Sequence, residues 1–335
     1  MSDVTIFAPS PILTVTVEDH PAGDEIHIHA GGQGVWQARM LLRLGTSVTM
    51  CCVLSGETGV VVRHLLEDEG ITVEAVDRGG RGAAYLHDRR SGDRQIVAEE
   101  HGDALGRHEL DDLYGLVLRE ASASLVTILS GPSDDASLPA DTYRRLAADL
   151  RAAGATVAVD LAGERLAAAV EGGVRLLKVS DEELVADGRI ETSEVGAIVG
   201  AMRELRAGGA DVVVVTRASE PLLLLDDRGV IEVEPPTLQV ADHRGAGDSL
   251  FAGVVRGLAL DEDPRDAITL GAAAGALNVT RHGLGSADPE AVARLRPSVV
   301  VRELDPPDAE STVSGRVSPD GLAALADPTP REGDA

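Results

Sequence analysis

Between residues 109 and 216 the chain alternates short apolar runs with longer segments of helical spacing, and this alternation restricts the fold more than any other feature. Leu125 to Leu129, Thr156 to Asp160, Arg175 to Lys178 and Val212 to Thr216 read as strands. Glu109 to Glu120, Ala140 to Ala153, Gly163 to Val170 and Ser193 to Ala207 read as helices. Strands joined by helices of this length must run parallel, with both faces of the sheet covered. Val4 to Ala8, Ser47 to Val53 and Ile71 to Val76 add strands before that region. Val35 to Leu44 and Thr58 to Glu69 add helices, closed by Gly45 and Gly70. A hairpin (Leu222 to Asp226 and Val230 to Val233), the helices Ala246 to Leu258 and Pro264 to Thr280, and a last strand, Val299 to Arg302, complete the pattern. The fold class expected is α/β, one sandwich with a mainly parallel sheet.

Three segments are surplus to that sheet. Ile12 to Val17 and Glu25 to His29 alternate, and Ala83 to His87 with Arg94 to Ala98 form a hairpin turned at Arg90-Ser91-Gly92-Asp93. Together they are expected to stand over the active edge as a small β lid. Beyond about Leu304 the chain is rich in Pro, Asp, Ser and Gly. It reads as a disordered acidic tail over 304–335, leaving 1–303 as the domain. With 44% hydrophobic but only 2% aromatic residues, the core must be filled by Val, Leu, Ala and Ile. A formal charge of −26 argues against nucleic acid or an anionic membrane as partner. Any phosphate must then be held locally, by amides, a metal or a few placed cations. Cys51 and Cys52 are adjacent within an apolar run, so reduced core thiols are expected. No basic-plus-apolar leader and no long apolar run is present, which points to a soluble cytoplasmic protein.

The chemistry is expected at Asp242-His243-Arg244-Gly245-Ala246-Gly247-Asp248-Ser249, ahead of an apolar helical run. Small residues leave the amides of Gly245 to Asp248 open to a ligand, and a helix N-terminus favours a negative oxygen. A carboxylate in such a place is suited to taking a proton. The pair describes phosphoryl transfer, with amides on the migrating group and Asp248 on the attacking hydroxyl. A glycine turn capping an ordinary helix is the other reading of these residues alone.

Three stretches, in order, resemble the ribokinase/PfkB carbohydrate kinases, most of all the 1-phosphofructokinase and tagatose-6-phosphate kinase branch. Ala30-Gly31-Gly32-Gln33-Gly34-Val35-Trp36-Gln37-Ala38-Arg39 is similar to A-G-G-K-G-x-N-x-A-R, and Leu177 to Leu184 to K-P-N-x-x-E-L. The third is Gly245 to Asp248 with its helix, and Val159 to Glu164 is similar to D-x-S-G-E. The resemblance spans roughly residues 4–303. It implies a ribokinase-like three-layer α/β/α sandwich and ATP-dependent phosphorylation of a sugar-phosphate hydroxyl.

By that resemblance Asp248 is the general base, and Gly245, Ala246 and Gly247 form the anion hole. Lys178, the only lysine, falls near the triphosphate, and this reading is favoured over a strand-end cation without a role. Ser180, Thr216, Arg217 and Asn278 join it around ATP, Asn278 being equally readable as a helix-surface amide. Glu183 supports Mg²⁺ through bound water. Thr14, Gly31, Gly32, Gln33, Trp36 and Arg94 are the candidate acceptor-binding residues.

Gln33 replaces the family lysine, Trp36 and Ser180 replace asparagines, and Thr14 replaces an early aspartate. Losing the lysine removes a charge-assisted bond to the acceptor. Arg89, Arg90, Arg94 or Arg244 could replace it, with a solvated charged turn as the alternative for Arg89 and Arg90. His27 and His29 are expected to be exposed lid residues. A kinase of an unphosphorylated sugar, nucleoside or polyol, and a non-catalytic metabolite-binding descendant, remain as alternatives. Pairing of lids in a homodimer is a further expectation.

Overall fold

A computed structural model describes residues 2–91, 94–132, 138–238, 245–280, 285 and 287–304. Among them, ten strands form the large sheet. It begins with β1 (Val4–Phe7), β4 (Val48–Ser55) and β5 (Thr72–Arg78), and continues with β8 (Val126–Ser130), β9 (Thr156–Asp160), β10 (Val174–Ser180) and β11 (Ala210–Arg217). The antiparallel β12 (Glu220–Asp226) and β13 (Gly229–Glu234), then β14 (Val300–Leu304), finish it. The order is β14-β13-β12-β11-β10-β9-β8-β1-β4-β5, and the seven strands from β11 to β5 run parallel to one another.

One face carries α1 (Gln33–Arg43), α2 (Gly56–Asp68), α8 (Ala246–Ala259) and α9 (Pro264–Asn278), whose apolar side chains join those of Val4, Ile6, Met50, Ile128 and Val214. The other face takes α3 (Arg107–Ala121), α4 (Asp141–Ala152), α5 (Gly163–Gly172) and α7 (Val195–Gly208). There Phe7 meets Tyr143 edge-on at 5.6 Å. Alternate residues of one strand thus serve two cores, as the pleat requires. The α/β/α layers are as expected, and Cys51 and Cys52 are buried free thiols. Two helices were not foreseen, α6 (Asp181–Ala186) and α10 (Pro289–Leu295). Both are too short to show a helical period.

The surplus strands form the second sheet, ordered β3-β2-β6-β7, from β2 (Ile12–Glu18), β3 (Glu25–Gly31), β6 (Ala84–Asp88) and β7 (Gln95–Glu100). Its two faces differ in burial near β2. Thr14, Thr16 and His87 are buried, whereas Ile28 opposite Val15 and Ile26 opposite Val17 are 53% and 63% exposed. No helix of the described residues is long and apolar enough to cross a membrane. Residues 305–335, where a tail was expected, lie outside the described residues, as does Asp242-His243-Arg244.

Candidate active site

The chain leaves β1 toward β4 and β5 on one side, and returns through β8 to β11 on the other. Between β1 and β8 the strand order reverses, and the ends of parallel strands splay there into a crevice. Helix α1 begins in it because Gly34 has no side chain. A Cβ at Gly34 would stand 2.6 Å from Ala8 Cβ and 3.3 Å from Ser130 Oγ. One turn further along, Gln37 is fully buried, and Ser130 Oγ donates to its Oε1 at 2.6 Å. Its Nε2 faces Asp160 Oδ2 at 3.3 Å and Asp248 Oδ1 at 3.5 Å.

Asp160 ends β9, and Lys178 lies beside it near the end of β10, with Nζ 3.0 Å from Asp160 Oδ1. Gly247 lets the lysine reach the start of α8, since a Cβ there would be 3.2 Å from Nζ. Helix α8 opens on Gly245 in the left-handed region (φ 70°), with no side chain capping it. Its first-turn amides therefore have no partner within the helix, and the positive end of its dipole faces the crevice.

Three carboxylates thus share one ammonium. Burial disfavours the charge on Lys178, but Asp160, Glu183 and Asp248 outweigh it and hold the amine above its usual range. Asp248 is pushed up to about 7, first by burial and then by the charge of Asp160, against the pull of Lys178 and the bond from Gln37. Burial raises Asp160 as well. The Lys178 ammonium, in contact with Asp160, opposes that rise.

Ser180 is the N-cap of α6 and forms a capping box with Glu183. Glu183 Oε2 accepts from Ser180 N at 2.7 Å and Ser180 Oγ at 2.8 Å, which fixes the carboxylate beyond β10. Thr216 pairs in register with Ser180, and Arg217 donates to the Pro221 carbonyl at 3.1 Å. Asn278 is not a helix-surface amide. It is buried at the end of α9, and its Oδ1 accepts from Gly285 N at 3.1 Å.

On the acceptor side, a Cβ at Gly31 would stand 2.7 Å from Thr14 Oγ1, so the glycine makes room for that buried hydroxyl. Gly32 caps α1 at φ 106°. Gln33 Oε1 accepts from Gly131 N at 2.9 Å, tying α1 to the end of β8. The indole N–H of Trp36 is buried with no partner among the described residues. Arg94 donates to His87 Nδ1 at 2.7 Å. Arg89 pairs with Glu18, and Arg90 with Asp88 and Asp24, all within the lid. The expectation of an exposed His29 fails. It is partly enclosed, and burial followed by the charge of Arg39 lowers its pKa to about 4, so it is neutral.

Gln37 and Ser130 were given no part by the sequence, and Asp160 entered only as a motif letter. The available signal was slight: Asp160 is the one charge on its strand.

Residues 3–291 match the family model for pfkB family carbohydrate kinases. The chain belongs to that family. This makes it an enzyme, a kinase of carbohydrates. Among PfkB relatives, the ATP-dependent 6-phosphofructokinase isozyme 2 of Escherichia coli is 30% identical over 258 residues, covering 76% of this chain and 82% of the relative. The 1-phosphofructokinase of Bacillus subtilis is 26% identical over 304 residues, 88% of this chain and 97% of its own. The crystal structure of E. coli phosphofructokinase-2 in complex with potassium superposes with a TM-score of 0.79 at 25% identity, over 89% of this chain and 99% of that one. A ribokinase from Arabidopsis thaliana, solved with ribose and ATP, shares the fold at a TM-score of 0.69 and 18% identity, over 88% of this chain and 99% of that one. The sandwich with its small lid is therefore the ribokinase-like fold of the PfkB kinases.

Proposed function

We propose that the domain, residues 1–303, is a cytoplasmic ATP-dependent kinase of a sugar phosphate, with Asp248 as its general base. The observation that carries this is Asp248 itself, at an uncapped helix N-terminus beside Lys178 and with its carboxyl poised at about 7. A base with that affinity takes the proton of an attacking hydroxyl at neutral pH and releases it afterwards. The amides of Gly245 to Asp248 hold the migrating phosphoryl group as charge builds on its oxygens, and Lys178 adds a fixed positive charge. The relatives named phosphofructokinase support a phosphorylated fructose as acceptor.

The donor set also fits Mg²⁺. Among the described residues no group of three or more His, Cys, Asp or Glu could cage a metal, whereas Glu183 is held firmly at the strand end. A hard cation that keeps its waters would be supported by Glu183 through one of them, and would neutralise charge on the donor phosphates.

A second reading, an unphosphorylated acceptor, is favoured by Gln33, whose carbonyl is occupied by Gly131 N and which carries no charge. Turnover of ATP·Mg²⁺ is measured with fructose 1-phosphate, fructose 6-phosphate and free fructose. Turnover of either phosphate well above free fructose is expected. A preference for free fructose or another neutral polyol moves the assignment to the second reading, and no turnover across a wide sugar panel removes the kinase assignment. The exposed apolar lid face, with Ile26 and Ile28, supports a homodimer formed through it.

A further inference from the structure

We infer that Gln37 is a positioning residue for this reaction, holding the Asp248 carboxylate through a buried relay anchored on Ser130. The inference rests on Asp248 being the base. Gln37 lies 211 residues from Asp248 in sequence and 123 from Asp160, and its side chain reaches both. The orientation of its amide follows from chemistry. One end faces two carboxylates, which only accept when ionised, so the NH₂ group belongs there and each hydrogen has one acceptor. The carbonyl end then accepts from Ser130 Oγ at 2.6 Å, and the Ser130 carbonyl accepts from the buried Tyr143 hydroxyl at 2.9 Å. Every rotatable group in the relay is fixed by another, and none is exposed to water that could replace it.

The relay does two things to the base. It sets the direction of the Oδ1 lone pairs, leaving Oδ2 for the incoming hydroxyl. It also supplies a donor to the charged form, which opposes burial and repulsion from Asp160. The charged groups facing Asp248 among the described residues are Asp160 on β9, Lys178 on β10 and Glu183 on α6. Only the lysine is positive, so a neutral donor weighs more here than at an open site.

The test uses the full chain, with Gln37→Leu and Ser130→Ala as variants. Two readouts are followed: the pH profile of kcat/KM with whichever fructose phosphate is turned over, and the carboxyl ¹³C titration of labelled aspartate. The Asp248 signal is identified by its loss in Asp248→Asn. For Gln37→Leu the acid limb and the titration midpoint are expected to move up by about half a pH unit or more, a loss of about twofold or more at pH 7 and about threefold or more at pH 6 that closes by pH 9. KM for ATP should stay within about twofold. Ser130→Ala should give a smaller shift of the same sign, and carries the test if Gln37→Leu does not fold. An unmoved midpoint with activity lost equally at every pH, or no loss at all, overturns the inference. If Asp248→Asn keeps its activity, the base assignment fails instead, whatever the Gln37 variants do.

Discussion

At Asp248 function and stability pull in opposite directions. Its folded pKa of about 7 lies above the usual carboxylate value of 3.8, so the folded state binds this proton more tightly than the unfolded chain does. The stabilisation from that proton is complete below about pH 4 and is lost as pH rises through about 7. At pH 8 the ionised group is a net cost. Asp248→Asn should therefore raise stability at pH 8 by roughly 1–3 kcal/mol relative to its effect at pH 4, measured by urea unfolding at both values. The same substitution should lower kcat by roughly 10²–10⁴-fold with ATP affinity nearly unchanged. Equal stability changes at both pH values would show that the carboxyl is not perturbed. In the wild-type enzyme, activity should rise with pH through about 7, since the base works only when deprotonated.

The helices that carry these groups are placed by residues with almost no side chain. A Cβ on Gly271 would stand 2.6 Å from the Leu250 carbonyl oxygen and 2.6 Å from Val254 Cγ2, so α8 and α9 touch backbone to backbone. Gly271→Val must push α8 away, and with it the amides and carboxylate of its first turn. A loss of about 1–3 kcal/mol is expected in chemical denaturation, together with reduced kcat in the protein that remains folded. Gly115 in α3 has nothing within 4 Å of such a Cβ. Gly115→Ala should be neutral or stabilising by up to about 1 kcal/mol, because a helix interior favours alanine. If both substitutions behaved alike, close approach would not be the reason for Gly271. Helix α6 obeys a different rule, since its capping box, not its apolar face, orients Glu183.

The described residues divide into a sandwich with helices on both faces of its sheet and a lid whose sheet is only partly buried. In the lid Thr14, Thr16 and His87 are buried, while Ile26, Ile28 and the partly buried Val15 and Val17 look outward. An apolar sheet face left in water is costly and invites a partner. Ile26→Glu/Ile28→Glu should shift the protein toward monomer in sedimentation equilibrium at micromolar concentration. An unchanged mass, or a wild-type protein already monomeric at high concentration, would remove lid pairing from the account.

The amino-acid sequence determined the layers, the parallel run of strands, the surplus lid strands and the place where α8 begins. All of these are written in local periods and turn residues, which act over a few positions. The approximate bounds of most elements followed for the same reason, and only the brief α6 and α10 escaped. Tertiary structure alone decided which side chains of the site meet. The contacts of Gln37 with Ser130, Asp160 and Asp248, of Lys178 with Asp160, and of Gln33 with Gly131 join residues 18 to 211 positions apart. No local pattern carries such a pairing. It exists because the strand order reverses between β1 and β8 and brings the ends of distant strands to one crevice. The burial that lifts Asp248 to about 7 has the same origin, because the charge of a neighbour and the loss of water are properties of a packed site, not of a residue type.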